Sequence, residues 1–251
     1  MSRGLGDVYK RQANGRVVGR EVKKIRMSEV SLGFKYHPGV TYVNTKQQRL
    51  PINLDSPEFW VVHRAGFKHF LGGQYNSNIT ELGFYKRQWL GSWGYVDIHA
   101  KGEAQWNKVP FPLLVLPPIN LSYFEHENTF NLMRDWEFLN DRQLFWAVCW
   151  DMNGKLLNRI PLVKRLKWRE YFALKGMMGT LTSKNNPDYD DNLFRFPTGA
   201  HRMDGQPYWE AVAGVHNIFK FFSMEYVRRL SYLHNEKIDK WGIRFGFDMT
   251  F

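Results

Sequence analysis

Residues 240–251 read K-W-G-I-R-F-G-F-D-M-T-F, and the alternation in this stretch decides the fold class. The apolar side chains on one face of an extended chain would be Trp241, Ile243, Phe245, Phe247, Met249 and Phe251. The opposite face would carry Gly242, Arg244, Gly246, Asp248 and Thr250. Because side chains alternate across a strand, this pattern predicts a β-strand with one apolar and one polar face. Its length suits a tilted strand that crosses a bilayer, which needs about 9–11 residues.

The last residue of the sequence is Phe251. A terminal strand that ends on an aromatic residue resembles the signal by which outer-membrane barrels are recognised for assembly. We therefore predict that the six apolar residues from Trp241 to Phe251 form such an assembly signal. The alternative is a soluble β-sandwich that ends in an amphipathic edge strand, although an edge of this kind would invite edge-to-edge aggregation.

The same alternation recurs upstream. The apolar members of the clearest segments are Leu144, Trp146, Val148 and Trp150 in 141–152; Phe172, Leu174 and Met178 in 169–182; Trp209, Ala211, Ala213 and Val215 in 207–217; and Met224, Tyr226, Leu230 and Tyr232 in 223–233. Weaker candidates are 130–138, 92–103, 79–90, 58–70 and 28–36. With about ten strands and no amphipathic helix of three turns, the sequence predicts an all-β fold, an antiparallel transmembrane β-barrel of which this is the C-terminal part.

The connections support this topology and give it an orientation. Residues 218–222 form a tight turn, whereas residues 183–206 form a long polar loop. Outer-membrane barrels have short periplasmic turns and longer extracellular loops. We therefore expect 183–206 and 234–239 outside, and 218–222 and 153–168 in the periplasm. The polar residues expected to face the lumen are Glu225, Arg229, Arg244 and Asp248.

The segment 153–169 is strongly basic and carries no acidic residue. Its cations are Lys155, Arg159, Lys164, Arg165, Lys167 and Arg169. Leucine, isoleucine and tryptophan residues are interleaved with them, which would suit a segment that lies against anionic lipid headgroups or a partner. The alternative, which we favour, is a solvated periplasmic turn whose apolar residues pack under the rim of the barrel.

The composition narrows the function classes. The chain has 251 residues, a net charge of +11 and one cysteine, Cys149, which excludes a disulfide scaffold and a cysteine-ligated metal centre. Glu125-His126-Glu127 offers metal-ligand types without the second histidine of a zinc-protease helix, and phosphate-binding, dinucleotide and nucleophile-elbow motifs are absent from the sequence. We therefore predict no enzyme activity, no cofactor and no metal.

The first twelve residues, M-S-R-G-L-G-D-V-Y-K-R-Q, lack the apolar core of a signal peptide. They resemble a translated adapter sequence of the kind found at the ends of proteins from metagenomic assemblies. We expect residues 1–12 to be a non-native tail and residues 13–251 to be the barrel portion.

Several further motifs carry a family resemblance: K-V-P-F-P-L-L at 108–114, Y-F-E-H-E-N-T-F-N-L-M-R-D-W-E-F at 123–138, N-D-R at 140–142, N-R-I-P-L at 158–162, L-K-W-R-E at 166–170, P-Y-W-E at 207–210, N-I-F-K at 217–220 and R-L-S-Y at 229–232. In this order they resemble the C-terminal barrel of an uncharacterised outer-membrane family of Bacteroidota that often carries an N-terminal carboxypeptidase-regulatory-like domain. More distantly, the chain is similar to the surface-antigen type of outer-membrane assembly barrels. It lacks their V-R-G-F/Y motif, and Met133-Arg134-Asp135-Trp136 is the nearest string.

The resemblance implies location and architecture and no catalytic residues. The expected partners are outer-membrane lipid, the barrel-assembly machinery and the missing N-terminal half of the same barrel, with no nucleic acid. Transport, surface structure or envelope biogenesis are the expected roles. The alternative hypothesis, based on the charge of +11, is a soluble basic β protein that binds nucleic acid or another polyanion.

Overall fold

The computed structural model describes residues 24–190, 193–203 and 205–247, and these residues form an all-β fold. The strands are β1 (Glu29–Tyr36), β2 (Tyr42–Asn44), β3 (Arg49–Pro51), β4 (Glu58–Gly66), β5 (Ser77–Trp89), β6 (Tyr95–Gln105), β7 (Arg142–Asp151), β8 (Arg169–Thr180), β9 (Tyr208–Ile218), β10 (Phe222–Arg229) and β11 (Trp241–Phe247). Short 3-10 helices cover Phe70–Gly72, Gly91–Trp93, Phe111–Leu113, Leu157–Arg159, Val163–Leu166 and Ser183–Asn185. None of the helices in the described ranges is long and apolar enough to cross a membrane.

Nine strands form one antiparallel sheet in the order β1-β4-β5-β6-β7-β8-β9-β10-β11. Each strand pairs with the next in this order, and the short β2–β3 hairpin lies in the connection between β1 and β4. The sheet is not closed, so β1 and β11 are its two edges. The prediction of an all-β antiparallel fold is therefore confirmed.

One face of the sheet is packed against other residues of the chain, and the opposite face is exposed. We call them the covered face and the bare face. Along β7, Leu144 and Val148 are exposed on the bare face, while Phe145 and Ala147 are buried on the covered face. The other bare-face residues with large exposed side chains include Val30, Leu32, Phe34, Leu82, Phe172, Leu174, Met178, Met224, Tyr226, Trp241 and Ile243. The apolar faces predicted for β7, β8, β9 and the first part of β10 lie on the bare face, as the alternation requires.

Residues 106–141, which connect β6 to β7, lie against the covered face, and we call them the covering segment. Four prolines between 110 and 118 deprive this stretch of backbone donors, so that it cannot pair as a strand. Its apolar residues are nevertheless buried. Phe130 packs edge-on against Phe145 of β7 and Tyr208 of β9, with ring centroids 5.3 and 5.0 Å apart.

A second apolar cluster joins the covering segment to the β8–β9 loop. Its buried members are Val109, Phe111, Leu114, Leu139 and Phe194. The backbone N–H of Val109 donates to the Asn185 side chain at 2.9 Å, which fixes the loop to the segment. The long polar loop predicted at 183–206 therefore contributes apolar residues to the core.

Two sequence predictions are wrong in detail, and one element is not predicted. Residues 130–138 form isolated bridges and no strand, because Phe130 and Phe138 point into the core from an irregular chain. Tyr232, placed with the apolar face of β10, is buried in the core, since β10 ends at Arg229 and Tyr232 has a φ of 52°. The β2–β3 hairpin was not predicted.

Candidate functional site

A polar cavity of about 470 Å³ lies between the covered face and the covering segment. The sheet residues around it come from β4 to β9, and residues 125–128 of the covering segment complete its wall. The charged side chains at the cavity are Glu58, Arg87, Asp97, Glu125, Glu127 and Asp151. Period-two alternation brings the four strand residues among them to one face, because each strand sends every second side chain to the same side. Glu125 and Glu127 come from the covering segment.

Arg87 of β5 and Asp97 of β6 are direct register partners at one side of the cavity. The guanidinium donates from Nε to Oδ1 and from Nη2 to Oδ2, both at 2.7 Å, and Tyr85 donates to Oδ1 at 3.1 Å. The guanidinium carbon also lies 4.0 Å from the centre of the Tyr95 ring. A bidentate, stacked arginine of this kind is rigid, so this side of the cavity has a fixed charge pattern.

Glu125, His216 and Glu225 meet at the other side. His216 Nε2 lies 3.0 Å from Glu225 Oε1, and one ligand atom from each of the three residues lies within 4.8 Å of the others. Burial, followed by the negative charge of Glu225, raises the pKa of the Glu125 carboxyl to about 7. Tyr171 of β8 stacks on the imidazole with 4.4 Å between ring centroids and holds its plane.

Buried charges fix the covering segment in place. Glu210 of β9 is fully buried and accepts the backbone N–H groups of Asn131 and Leu132, both at 2.9 Å. Glu137 accepts two hydrogen bonds from Arg229 of β10. Burial opposes ionisation of Glu137, but the hydrogen bonds from Arg229 and Asn235 outweigh it, so that its pKa lies below the ordinary value.

The residues predicted to face a lumen lie on the covered face wherever the structure describes them. Glu225 and Arg229 are fully buried there, and Arg244 donates to the carbonyl oxygen of Asn131. Asp248 lies outside the described residues. Glu225 thus contacts His216, and the two arginines contact the covering segment.

The predicted assembly signal places four of its residues on the bare face of β11: Trp241, Ile243, Phe245 and Phe247. Met249 and Phe251 lie outside the described residues. The far edge of β11 is partly occupied, because Glu125 N–H donates to Phe245 O at 2.7 Å and Phe245 N–H donates to Tyr123 O at 3.0 Å.

The basic segment forms two 3-10 turns between β7 and β8. Lys155 donates to Ser92 Oγ at 2.8 Å and lies over the Trp93 ring. Lys164, Lys167 and Arg169 line a shallow pocket of about 410 Å³, whereas Arg159 and Arg165 lie in the 3-10 turns. The expected packing of the apolar residues is wrong for Ile160, Leu162 and Leu166, which are exposed.

Sequence reasoning missed the meeting of Glu125 with His216 and the roles of Glu137 and Glu210. A local motif search considers Glu125 together with its neighbours His126 and Glu127, and no helical spacing joins them. The partners of Glu125 come from β9 and β10, 91 and 100 residues later in the chain. The sequence does place charged residues at the strand positions that form the covered face. It does not show where the covering segment lies against them.

The sequence of residues 12–191 matches the C-terminal domain of a family of unknown function, DUF5686. This match spans most of the chain, and the chain therefore belongs to that family. No curated protein and no solved structure matches the chain.

Proposed function

We propose that this chain is the C-terminal part of a non-enzymatic outer-membrane β-barrel, whose remaining strands precede it in a longer protein. The observation that carries the proposal is the apolar bare face. From β1 to β11 the described strands expose Val, Leu, Phe, Met and Trp side chains on the same side of the sheet, and no element covers that side in the described ranges. A soluble sheet of nine strands would need a second layer there, whereas lipid satisfies such a surface directly.

The opposite face suits the interior of the same barrel. Several of its buried charges are paired or accept backbone N–H groups, and the covering segment packs on it as an internal plug. Lumenal faces of outer-membrane barrels are polar and are often closed by a loop. We infer a role in transport, surface structure or envelope biogenesis, without a catalytic step.

The edge strands support completion by further strands. β1 is exposed along its whole length, and its edge leaves backbone groups without strand partners in the described residues. In a bilayer such an edge must be paired, because no water is available to hydrogen-bond it. We therefore propose that strands from the N-terminal half of the same barrel pair with β1 and with the free part of β11, and that the barrel-assembly machinery guides this step.

Spin labels on adjacent residues of β8 test the proposal. We would place single cysteines at Leu174 on the bare face and at Ala173 on the covered face, in the full-length protein with Cys149→Ser, reconstituted in lipid vesicles. We expect the label at 174 to be relaxed strongly by oxygen and weakly by a water-soluble nickel chelate. The label at 173 should not contact lipid. Strong relaxation of the label at 174 by the nickel chelate would contradict the proposal and favour a soluble, polyanion-binding protein.

A further inference from the structure

Three potential metal ligands from three separate elements converge beside the polar cavity. Glu125 belongs to the covering segment, His216 to β9 and Glu225 to β10. Both Glu125 and His216 line the cavity, so a small ion could reach them from it. Their ligand atoms all lie within 4.8 Å of one another.

Unpartnered buried oxygen atoms at the same place point to a ligand. Glu225 is fully buried, and its Oε2 atom has no hydrogen-bond partner among the described residues while Glu125 is ionised. The Glu125 carboxyl lies within hydrogen-bonding reach of the Glu225 carboxylate, to which it donates only when it is protonated. Ser223, two residues earlier on the same face, is also buried, and its Oγ has no partner among the described residues. Burial of a carboxylate oxygen or a hydroxyl group without a partner is costly.

Ser223 Oγ lies near Glu125 as well. A methyl group placed on Gly246 of β11 would collide with Ser223 Oγ and would lie 3.0 Å from Glu125 Oε2. The absence of a side chain at Gly246 therefore leaves room for the serine hydroxyl and the Glu125 carboxyl on one side of the strand. The Ser223 hydroxyl group is therefore close to the Glu125 carboxyl, which meets Glu225 and His216 in the cluster.

We propose that Glu125, His216 and Glu225 bind a divalent first-row transition-metal cation. One imidazole nitrogen and two carboxylate oxygens are a ligand set that Zn²⁺ accepts, with a fourth position left for water or for Ser223. Calcium is a poorer match, because it takes six to eight oxygen ligands and no imidazole. A divalent cation also removes the repulsion between the two carboxylates, and it satisfies Glu225 Oε2.

The consequence of binding is mechanical. The backbone of Glu125 already pairs with Phe245 of β11, so the cation would tie the covering segment to β9 and β10 close to the edge of the sheet. The site rests on covered-face geometry and does not depend on where the protein resides in the cell. Its failure and a failure of the membrane proposal are therefore distinguishable.

The test is Zn²⁺ titration of the full-length protein, purified in detergent and stripped with a chelator, followed by isothermal calorimetry. We expect one saturable site that involves this chain, and a loss of affinity of about 100-fold or more in His216→Ala and Glu225→Gln. His99→Ala is the matched control, because His99 lines the same cavity from β6 without belonging to the cluster. Absence of Zn²⁺ binding, or unchanged affinity in His216→Ala, would overturn the proposal.

A second measurement does not depend on the variants being folded. Co²⁺ bound to the wild-type protein should give visible ligand-field bands, and pulsed electron paramagnetic resonance of bound Cu²⁺ should show coupling to one imidazole nitrogen donor group. The Co²⁺ bands should disappear when Zn²⁺ is added, whereas Cu²⁺, which binds nitrogen and oxygen ligands more tightly than Zn²⁺ does, should keep its signal. Co²⁺ without ligand-field bands, or Cu²⁺ coupled to no imidazole, would contradict the assigned ligands.

Discussion

Glu137 and Arg229 form a buried bidentate ion pair that joins the covering segment to β10 across 92 residues of sequence. Arg229 Nη1 donates to Glu137 Oε2 at 3.0 Å and Nη2 donates to Oε1 at 2.6 Å. The guanidinium group also stacks over Tyr208, 4.7 Å from the ring centre. Both side chains are almost completely buried, so neither charge can turn to water if the other is lost.

Removal of one partner of this pair should therefore destabilise the fold strongly. We expect Glu137→Gln to lower the free energy of unfolding by about 3–5 kcal/mol, because it leaves the Arg229 charge buried and uncompensated. The measurement is urea unfolding followed by gel mobility of the full-length protein. The control is Lys35→Gln, which breaks the ion pair with Glu58 at 2.7 Å, where the lysine side chain is 62% exposed. A change of at most about 1 kcal/mol is expected for this control. Equal effects in the two variants would contradict the account.

The same pair predicts the pH dependence of stability. The pKa of Glu137 in the folded protein is lower than the ordinary value of 4.5. The carboxylate therefore contributes stability that is fully present above the unfolded-state pKa and is lost as the pH falls through the folded-state pKa. In urea unfolding at a series of pH values, the difference between wild type and Glu137→Gln should be constant near neutrality and should shrink below about pH 4. If the difference in free energy of unfolding between wild type and Glu137→Gln grew on acidification, the pKa of Glu137 could not be lowered in the folded protein.

A lipid-facing bare face predicts a depth-dependent cost of charge. Leu174 lies near the middle of β8, and Thr180 ends the same strand on the same face. We expect Leu174→Arg to cost about 2–4 kcal/mol in the bilayer and Thr180→Arg about 0–1 kcal/mol. Unfolding in lipid vesicles provides the measurement. Equally small losses in the free energy of unfolding for the two variants would indicate a solvated surface and would contradict the proposal.

Trp146 covers Gly176 on the bare face and packs edge-on against Trp209 at 5.1 Å between ring centroids. A methyl group on Gly176 would lie 2.5 Å from the indole ring, so the ring must move and lose this packing. We expect Gly176→Ala to destabilise the fold by about 1–3 kcal/mol. Gly102→Ala on β6 is the control, because the nearest neighbour of its methyl group would be Leu144 Cδ1 at 3.9 Å. The measurement is the thermal unfolding temperature of both variants. A decrease in Gly102→Ala that is larger than the decrease in Gly176→Ala would contradict this prediction.

Sequence periodicity best predicts the strands in which an apolar bare face alternates with a polar covered face. β7 alternates without an exception from Leu144 to Trp150, and the structure follows it residue by residue. The weaker segment 58–70 yields the shorter β4, since a 3-10 turn at Phe70–Gly72 follows it. The segment 130–138 misleads, because Phe130 and Phe138 are buried by core packing and do not belong to a ladder of strands.

The candidate site was less predictable than the fold. Glu225, Arg229 and Arg244 were found because they occupy alternate positions of recognisable strands. Their partners Glu125, Asn131 and Glu137 come from an irregular segment, whose path depends on tertiary packing around Phe130 and its prolines. Local patterns do not encode that path, so the pairing of charges across the interior could only be read from the structure.

The central claim is that the chain belongs to a barrel in the outer membrane, and fractionation of its native host tests it most directly. We would separate inner and outer membranes, locate the full-length protein with an antibody, and compare gel migration of unheated and boiled samples. We predict recovery in the outer membrane and a heat-dependent mobility shift, because a closed barrel resists detergent until it is heated. Recovery in the soluble fraction without such a shift would contradict the account.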